Sequence, residues 1–526
     1  MTNFLAHSNY ITTQIQLPLD LEITFKVSDE VITFNNLIKD IDFNKFFITK
    51  DIYYTETRGR KKKSRANILK AILFAFSIGV RSTRDIADLC KHDTRFMFLL
   101  DRIDPPSHTT INNTINSLLY NIDDVLVEIN KRIIKEDSSV DLNTLYVDGT
   151  KLEAYANKYT FVWKKAILKF QAKLNLKIIA LLPRLNDVFI NSGYNPVALK
   201  EQYSSIELLE IVDTLTSIIE KYGILLVYGK GKRKHEEQRL YDLFIKFQEK
   251  MNEYEEHLKT IGDNRNSYSK TDPDATFMRM KDDHMMNGQL KAGYNMQIAV
   301  ADEYIMALEL YQERSDFRTF IPFIDHFNFL YGHYPERIVA DAGYGNFDNY
   351  KFCIDNTIEP FIKYSWYRIE QTSKFKRNPF KKQNFIKDKD GNYICPNGKT
   401  LTFEREQQMR YSRNEAYEQI FRCHECDDCP DRAQCTTSKY GRTITMNEQY
   451  DEYKQRASNN LQSEAGIKLR VLRSIQVEGA FGVMKENMKY RRFNRRSYQK
   501  AHLEATLVAI GMNISKYHNK KYRIIN

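Results

Sequence analysis

Stretches of helical period alternate along the chain with short runs of period two, and the alternation divides it into regions. Residues 1–50 are mixed, with no strong period. The basic link TRGRKKKSR then leads into ANILKAILFAFSIGV, whose apolar positions fit a helix. Ser82 or Thr83 is placed to cap the next helix, RDIADLCKH. In DPPSHTTINNTINSLLYNI the prolines mark a turn and Thr109 or Thr110 caps a further helix. Residues 51–135 therefore read as several short helices carrying basic charge. In LNTLYVDGT, Leu145, Tyr146 and Val147 predict a short strand that ends at Asp148, with Gly149 breaking it.

A long polar helical region follows at about 165–260, including the charged amphipathic HEEQRLYDLFIKFQEKMNEYEEHLKTI, which suits a helical hairpin. Strand patterns resume in GYNMQIAVA and YIMALELY, with Asp302 and Glu303 as the turn of a hairpin. SDFRTFIPFIDHFNFLYG predicts a helix capped by Ser315, and RIVADAGYGN a strand ending at Asp341. NFDNYKFCIDN is helical and IEPFIKYSW is another strand. This order implies a mixed sheet with helices against it. Residues 370–455 break the rhythm and look like an inserted module. From Ser463 one long helix is expected through EAGIKLRVLRSIQVEGAFGVMKENMKYRRF, and KAHLEATLVAIGMNISKY is an apolar final helix.

Composition narrows the function classes. A chain of 526 residues exceeds one ordinary core, and 42% hydrophobic residues with 33 Tyr and 31 Phe exclude a disordered chain. No run of about 18 apolar residues occurs, and the N-terminus lacks the pattern of a signal peptide. The expectation is a cytosolic protein with no membrane partner. The net charge of +11 is concentrated. From residue 57 to 84 there are nine Lys or Arg, among them Arg60, Lys61, Lys62 and Lys63, and no Asp or Glu. From residue 485 to 523 eleven Lys or Arg face two Glu. Two such segments form either a nucleic-acid footprint or a pair of solvated basic surfaces.

Phosphoryl transfer on nucleic acid needs charge neutralised at the attacking and leaving oxygens. Divalent metals held by carboxylates do this, and hard oxygen ligands suit Mg²⁺ or Mn²⁺. Asp148 and Asp341 each close an apolar strand and precede a glycine within two residues, which leaves room for a phosphate. The alternative for each is a strand-end Asp bonding a turn. Glu478 lies on the long helix. At 100° per residue, Lys485, Lys489 and Arg492 fall within about 40° of it and predict a basic stripe beside the acid. The alternative is a surface Glu paired with Lys485. No GxxxxGK[ST] occurs, so no nucleotide partner is expected.

Of seven cysteines, Cys90 and Cys353 read as buried apolar residues. Cys423, Cys426 and Cys429 are spaced C-x2-C-x2-C, with Cys435 and Cys395 completing five. Thiolates so spaced can hold structural Zn²⁺; an iron–sulfur cluster and a metal-free module are the alternatives. His424 is a substitute ligand or an exposed residue. Trp163 is a stacking surface for a base or a core anchor, and Lys281, His284 and Lys291 approach the GYN strand.

LYVDGTKLEAYANKYTFVWKK, KAGYNMQIAVA, RIVADAGYGN and RSIQVEGAFGVMKENMKYRRF together resemble a bacterial insertion-sequence transposase of the DDE type. The resemblance implies an RNase H-like fold, with Asp148 and Asp341 as the catalytic aspartates and Glu478 as the glutamate. Many such enzymes carry Tyr-x2-Arg-x3-Glu-x6-Lys around the glutamate. Here Lys485 fits, whereas Arg473 stands one position early and Arg470 stands where the Tyr would be. The implied chain is α/β. Residues 1–135 form an N-terminal helical DNA-binding region. Residues 140–160, 280–370 and 456–520 form the RNase H-like core, a mixed sheet with flanking helices. Residues 161–279 are a helical insertion and 371–455 a cysteine-containing insertion. The expected activity is Mg²⁺- or Mn²⁺-dependent cleavage and strand transfer of element DNA by a homodimer, in the cytoplasm at the nucleoid. DNA contacts are expected from Arg60, Lys61, Lys62, Lys63, Arg473, Lys485, Lys489 and Arg492. A nuclease without strand transfer and a non-catalytic DNA-binding derivative are the alternatives.

Overall fold

The computed structural model describes residues 24–47, 64–101, 104–229, 232–280, 289–409, 412 and 416–523. It divides into two compact units, Met1–Ser117 with Ile514–Asn526 and Leu118–Asn513.

The first unit is helical, with helices Glu30–Ile38, Arg65–Ser77, Thr83–His92, Thr94–Leu100 and His108–Asn116. Short polar residues start each: Asp29, Ser64, Ser82, Asp93 and Ser107 accept from the first free N–H groups. Ser107, and not Thr109 or Thr110, caps the last of these. It is the first residue after the two prolines, and its extended backbone turns the side chain onto Thr110 N–H at 3.2 Å. Arg65–Ser77 is buried on nearly every side, as its continuous apolar run requires. Phe34, Phe74 and Phe96 pack in sequence, with ring centroids 5.7 and 5.3 Å apart.

The second unit is built on a six-stranded sheet. Its strands are β1 (Thr144–Glu153), β2 (Thr276–Arg279), β3 (Leu290–Ala301), β4 (Tyr304–Tyr311), β5 (Arg337–Gly345) and β6 (Glu359–Tyr364). The order is β2-β3-β1-β5-β6, with β4 also paired to β3. β3 is antiparallel to β1, β2 and β4, while β5 lies parallel to β1 and β6. The β3–β4 hairpin turns at Asp302 and Glu303, both with positive φ (48° and 69°). Parallel neighbours need a crossover, and the helices Phe320–Tyr331 and Phe347–Asp355 supply the two. Ser315 makes no cap bond; a short 3-10 turn, Asp316–Arg318, intervenes before the helix. Residues 501–513 of the final helix are buried throughout. Asn513 both accepts from Ile305 N–H and donates to Ile305 C=O at 2.8 Å, fixing that helix on β4.

Two further cores stand apart from the sheet. Helices Lys164–Asn191, Ser205–Lys221 and Glu236–Ile261 close on their own apolar cluster, including Ile178, Leu185, Leu215, Phe244 and Met251. Between residues 386 and 446 a five-stranded antiparallel sheet carries a small cluster of Phe385, Tyr393, Leu401, Phe421, Cys423, Cys426 and Ile444. No helix among the described residues is long and apolar enough to cross a membrane.

Candidate active site

Asp148 does not end its strand. β1 runs on through Gly149 to Glu153, because β3 pairs with it all the way from Tyr146↔Val300 to Glu153↔Gly293. Gly149 breaks nothing: it faces Gln297, and a Cβ there would come 2.2 Å from that side chain. The parallel ladder of β1 and β5 ends at Tyr146↔Val339, two residues before Asp148 and Asp341, and the charges of both aspartates act on the buried Tyr344. Both carboxylates are oriented by nearby backbone. Gly149 N–H donates to Asp148 Oδ1 at 2.7 Å, and Gly343 N–H to Asp341 Oδ1 at 2.8 Å.

Glu478 reaches the same place through a change of helical pitch. The path beginning at Glu464–Arg473 becomes a π-turn at Ser474–Glu478, α again at Gly479–Gly482, and π once more at Val483–Asn487. An α-helix aligns residues four apart; i→i+5 bonding aligns residues five apart. Arg473 and Glu478 are five apart, and the guanidinium bridges the two acids. Nη1 donates to Asp148 Oδ2 at 3.1 Å and Nη2 lies 3.6 Å from Glu478 Oε1. The one-residue displacement of Arg473 from the usual spacing is therefore absorbed by the π-turn. Ser474 Oγ donates to Glu478 Oε2 at 2.8 Å. On β6, Lys363 has its pKa lowered, first by burial and then by the charges of Arg473 and Arg470, with Asp341 opposing. The acids thus stand in a basic surround.

The basic stripe does not form. The helix stops at Asn487: Tyr490 N–H bonds Met484 C=O, six residues back, at 3.0 Å, and Lys489 is the left-handed residue with φ 53°. Tyr490 and Met484 are both fully buried and lock that end. Lys485 is buried and Lys489 exposed. Arg492 lies past the helix, where residues 491–493 return to β1 at Glu153. There it donates to Ala154 C=O and Ala156 C=O, and with Arg496 it covers the Tyr155 ring at 5.4 and 5.0 Å.

Other residues sort plainly. Arg60, Lys61, Lys62, Lys63, Lys281 and His284 lie outside the described residues. Lys291 pairs with Glu153 at 2.9 Å. Trp163 is half-buried and packs against the exposed Phe161 and the buried Phe277 with centroids 6.0 Å away. Cys90 and Cys353 are fully buried, and burial pushes the Cys90 thiol up to about 12.

The other five cysteines gather at one end of the small sheet. Cys426 Sγ accepts from Arg442 N–H at 3.3 Å, and Cys429 Sγ from Asn397 at 3.3 Å. Burial raises the Cys423 thiol to about 12, with Cys426 and Cys395 as neighbouring groups. Burial also raises Cys435, with Cys395, Cys426 and Cys429 near it. His424 is exposed. Among the described residues no three His, Cys, Asp or Glu stand close enough to hold a metal ion. This applies to the acids too, where Arg473 lies between Asp148 and Glu478.

Sequence reasoning missed the polar layer beneath the aspartates. Asn295, Gln297 and the Tyr344 ring are fully buried. Their signal was present: two amides two apart in an otherwise apolar strand share one face.

Two family models match the chain. The transposase DDE domain covers residues 394–518, and a transposase domain (DUF772) covers residues 26–117. Both matches make the chain similar to transposases, the first to a DDE domain. That match takes in most of the cysteine sheet, Arg473 and Glu478, while Asp148 and Asp341 lie upstream of it. No curated protein and no solved structure matches the chain.

Proposed function

We propose that the chain is a DNA transposase that cuts and rejoins insertion-sequence DNA, with Asp148, Asp341 and Glu478 as the catalytic acids of an RNase H-like core. The observation that carries this reading is the guanidinium of Arg473 drawing Asp148 and Glu478 together beside Asp341, in a chain with two transposase domains. Three antiparallel strands followed by two parallel ones with helical crossovers support the RNase H-like reading.

Asp148, Asp341 and Glu478 supply the hard oxygen donors that suit Mg²⁺ or Mn²⁺, but with Arg473 between Asp148 and Glu478 they do not stand together as a metal-binding group. When bound, the ions supply charge stabilisation for the attacking and leaving oxygens of phosphoryl transfer. The chain does the rest. Gly149 and Gly343 N–H groups aim the aspartates. Arg473 neutralises Asp148 and Glu478 and is the cation nearest any phosphate placed at them. Lys363 and Arg470 extend that positive field. Further DNA contacts are assigned to Arg60, Lys61, Lys62, Lys63, Lys485, Lys489 and Arg492. Of these, Lys485 is buried and its contact requires local opening. We assign a homodimer on paired element ends and a cytoplasmic, nucleoid-associated location; the cysteines do not stand as a metal-binding group. The test is incubation of purified protein with DNA bearing candidate element ends and Mg²⁺. Strand-specific nicks and joined products are expected, and loss of both in Asp341→Asn. Nicks without joining would leave only the nuclease.

A further inference from the structure

Two of the three acids are already engaged by the chain's own donors. Asp148 Oδ1 accepts from Gly149 N–H at 2.7 Å, and its Oδ2 from Arg473 Nη1 at 3.1 Å. Glu478 Oε2 accepts from Ser474 Oγ at 2.8 Å, and its Oε1 lies 3.6 Å from Arg473 Nη2. All four oxygens of the two carboxylates thus face a donor, and the guanidinium spans the gap between them. The Arg473 side chain is 16% exposed and that of Asp148 11%, against 59% for Glu478. The bridge is therefore sheltered from solvent at Asp148 and open to it at Glu478. Among the described residues Arg473 pairs with no other acid.

The helix that carries the bridge is held on its inner side and open on its outer side. Gln476, buried within the π-turn, accepts from Glu303 N–H at the β3–β4 hairpin, and Val477 beside it is fully buried. On the outer side Val471 and Ile475 are exposed, and a Cβ at Gly479 or Gly482 would meet nothing within 4 Å. The contact with Glu478 depends on the i→i+5 spacing, since the residue four positions on from Arg473 is the uncharged Val477. A divalent cation at these acids would meet a guanidinium already in their midst, and like charges so close repel strongly where water is scarce. The guanidinium leaves when another anion takes it. Phosphate is such an anion, because it accepts the planar fork through two oxygens at once.

We propose that Arg473 is an autoinhibitory latch, which keeps Asp148 and Glu478 from taking up a divalent cation until a DNA phosphate draws the guanidinium away. The proposal rests on the reading of Asp148, Asp341 and Glu478 as the catalytic acids, and it orders the reaction: DNA binds first and metal afterwards. The test is Mn²⁺ titration of the full chain, followed by electron paramagnetic resonance. Without DNA, Arg473→Gln and Arg473→Leu are expected to bind Mn²⁺ roughly tenfold or more tighter than the parent. Arg473→Lys, which keeps the charge, should stay close to the parent. A gain of binding is not what a misfolded variant gives, and two neutral variants guard against the failure of one. Adding Asp148→Asn to Arg473→Gln should erase the gain. With a short DNA duplex the parent should tighten toward Arg473→Gln, taking Asp148→Asn with the same duplex as the reference for ions held by the DNA itself. Parent-like binding by both neutral variants overturns the latch, as does a gain that survives Asp148→Asn. Asp148→Asn alone separates the two levels. If it abolishes the parent's Mn²⁺ binding while the neutral variants match the parent, the acids stand and only the latch falls; if it changes nothing with or without DNA, the underlying assignment fails as well.

Discussion

The main sheet packs apolar strands under helices on a scale that leaves room for buried Asp148, Asn295, Gln297 and Tyr344. The small sheet of residues 386–446 has seven buried residues in its cluster, two of them cysteines. Burying polar groups costs stability unless each is paired. A large core absorbs that cost; a small one has less apolar packing to offset it. On the proposed assignment, activity rests on the acids of the large sheet, while the stability of the small sheet leans on its buried thiols.

The sharpest way to break it is Asp148→Asn. Losing a charged ligand removes several kcal/mol of charge stabilisation, so nicking of end-containing DNA should fall by roughly a thousandfold or more. Folding should persist, since the amide still accepts from Gly149 N–H. A comparable loss of Tm would mean that the large core does not absorb its polar residues after all.

The next largest effect tests the same core from its far side. His502 donates to Asp123 at 2.9 Å and lies 3.2 Å from Glu309. Burial opposes its charge, but hydrogen bonds and charges from Asp123 and Glu309 outweigh it and hold His502 at about 10. Burial likewise opposes the charge of Glu309, yet His502 and His326 bring it down to about 2. A raised pKa stabilises fully below the ordinary 6.5 and is lost as pH climbs through about 10. A lowered one stabilises above the ordinary 4.5 and is lost as pH falls through about 2. His502→Gln should cost about 3–5 kcal/mol near pH 6, by leaving buried acids unpaired. In urea unfolding at about pH 6 and about pH 9.5, the parent's loss on going to the higher pH should shrink in the variant.

For the small sheet, Cys426→Ala removes a buried side chain and strands Arg442 N–H, costing about 1–3 kcal/mol. Hydrogen exchange should show the loss confined to residues 386–446, with nicking by the folded fraction unchanged. Faster exchange in β1 or β5 would erase the distinction between the two sheets. The smallest effect is Lys489→Gly. Relieving a left-handed lysine should add about 1 kcal/mol or less. If Lys489 also contacts phosphate, the salt dependence of DNA binding should drop by about one unit.

Much of the fold was legible. The hairpin at Asp302–Glu303, both crossover helices and the apolar final helix stand where the patterns put them. The two aspartates were legible as candidates because an Asp after an apolar run is easily seen, and Glu478 because of its spacing to Lys485. The contacts of Asp316 were not, because SDFRTF reads as an ordinary helix start, while its carboxylate accepts from Asn295 and Gln297, about twenty residues upstream.

The sequence by itself determined most helices and strands of the main sheet, since side-chain period reports the burial that each element needs, but not the small sheet of residues 386–446 or the strand Thr276–Arg279. It also determined that carboxylates, basic residues and thiols would be available. Tertiary structure alone decided four things. β1 continues past Gly149 because β3 pairs with it and Gln297 fills the missing side chain's place. Arg473 meets Glu478 because π-turns shift the register by one residue. The helix ends at Asn487 because Tyr490 is pulled under Met484, which removes the basic stripe that an unbroken helix would have had. Asp316 faces the aspartates because a buried amide relay holds it there. In each case the outcome depends on what packs against the segment from far along the chain, and no local period carries that information.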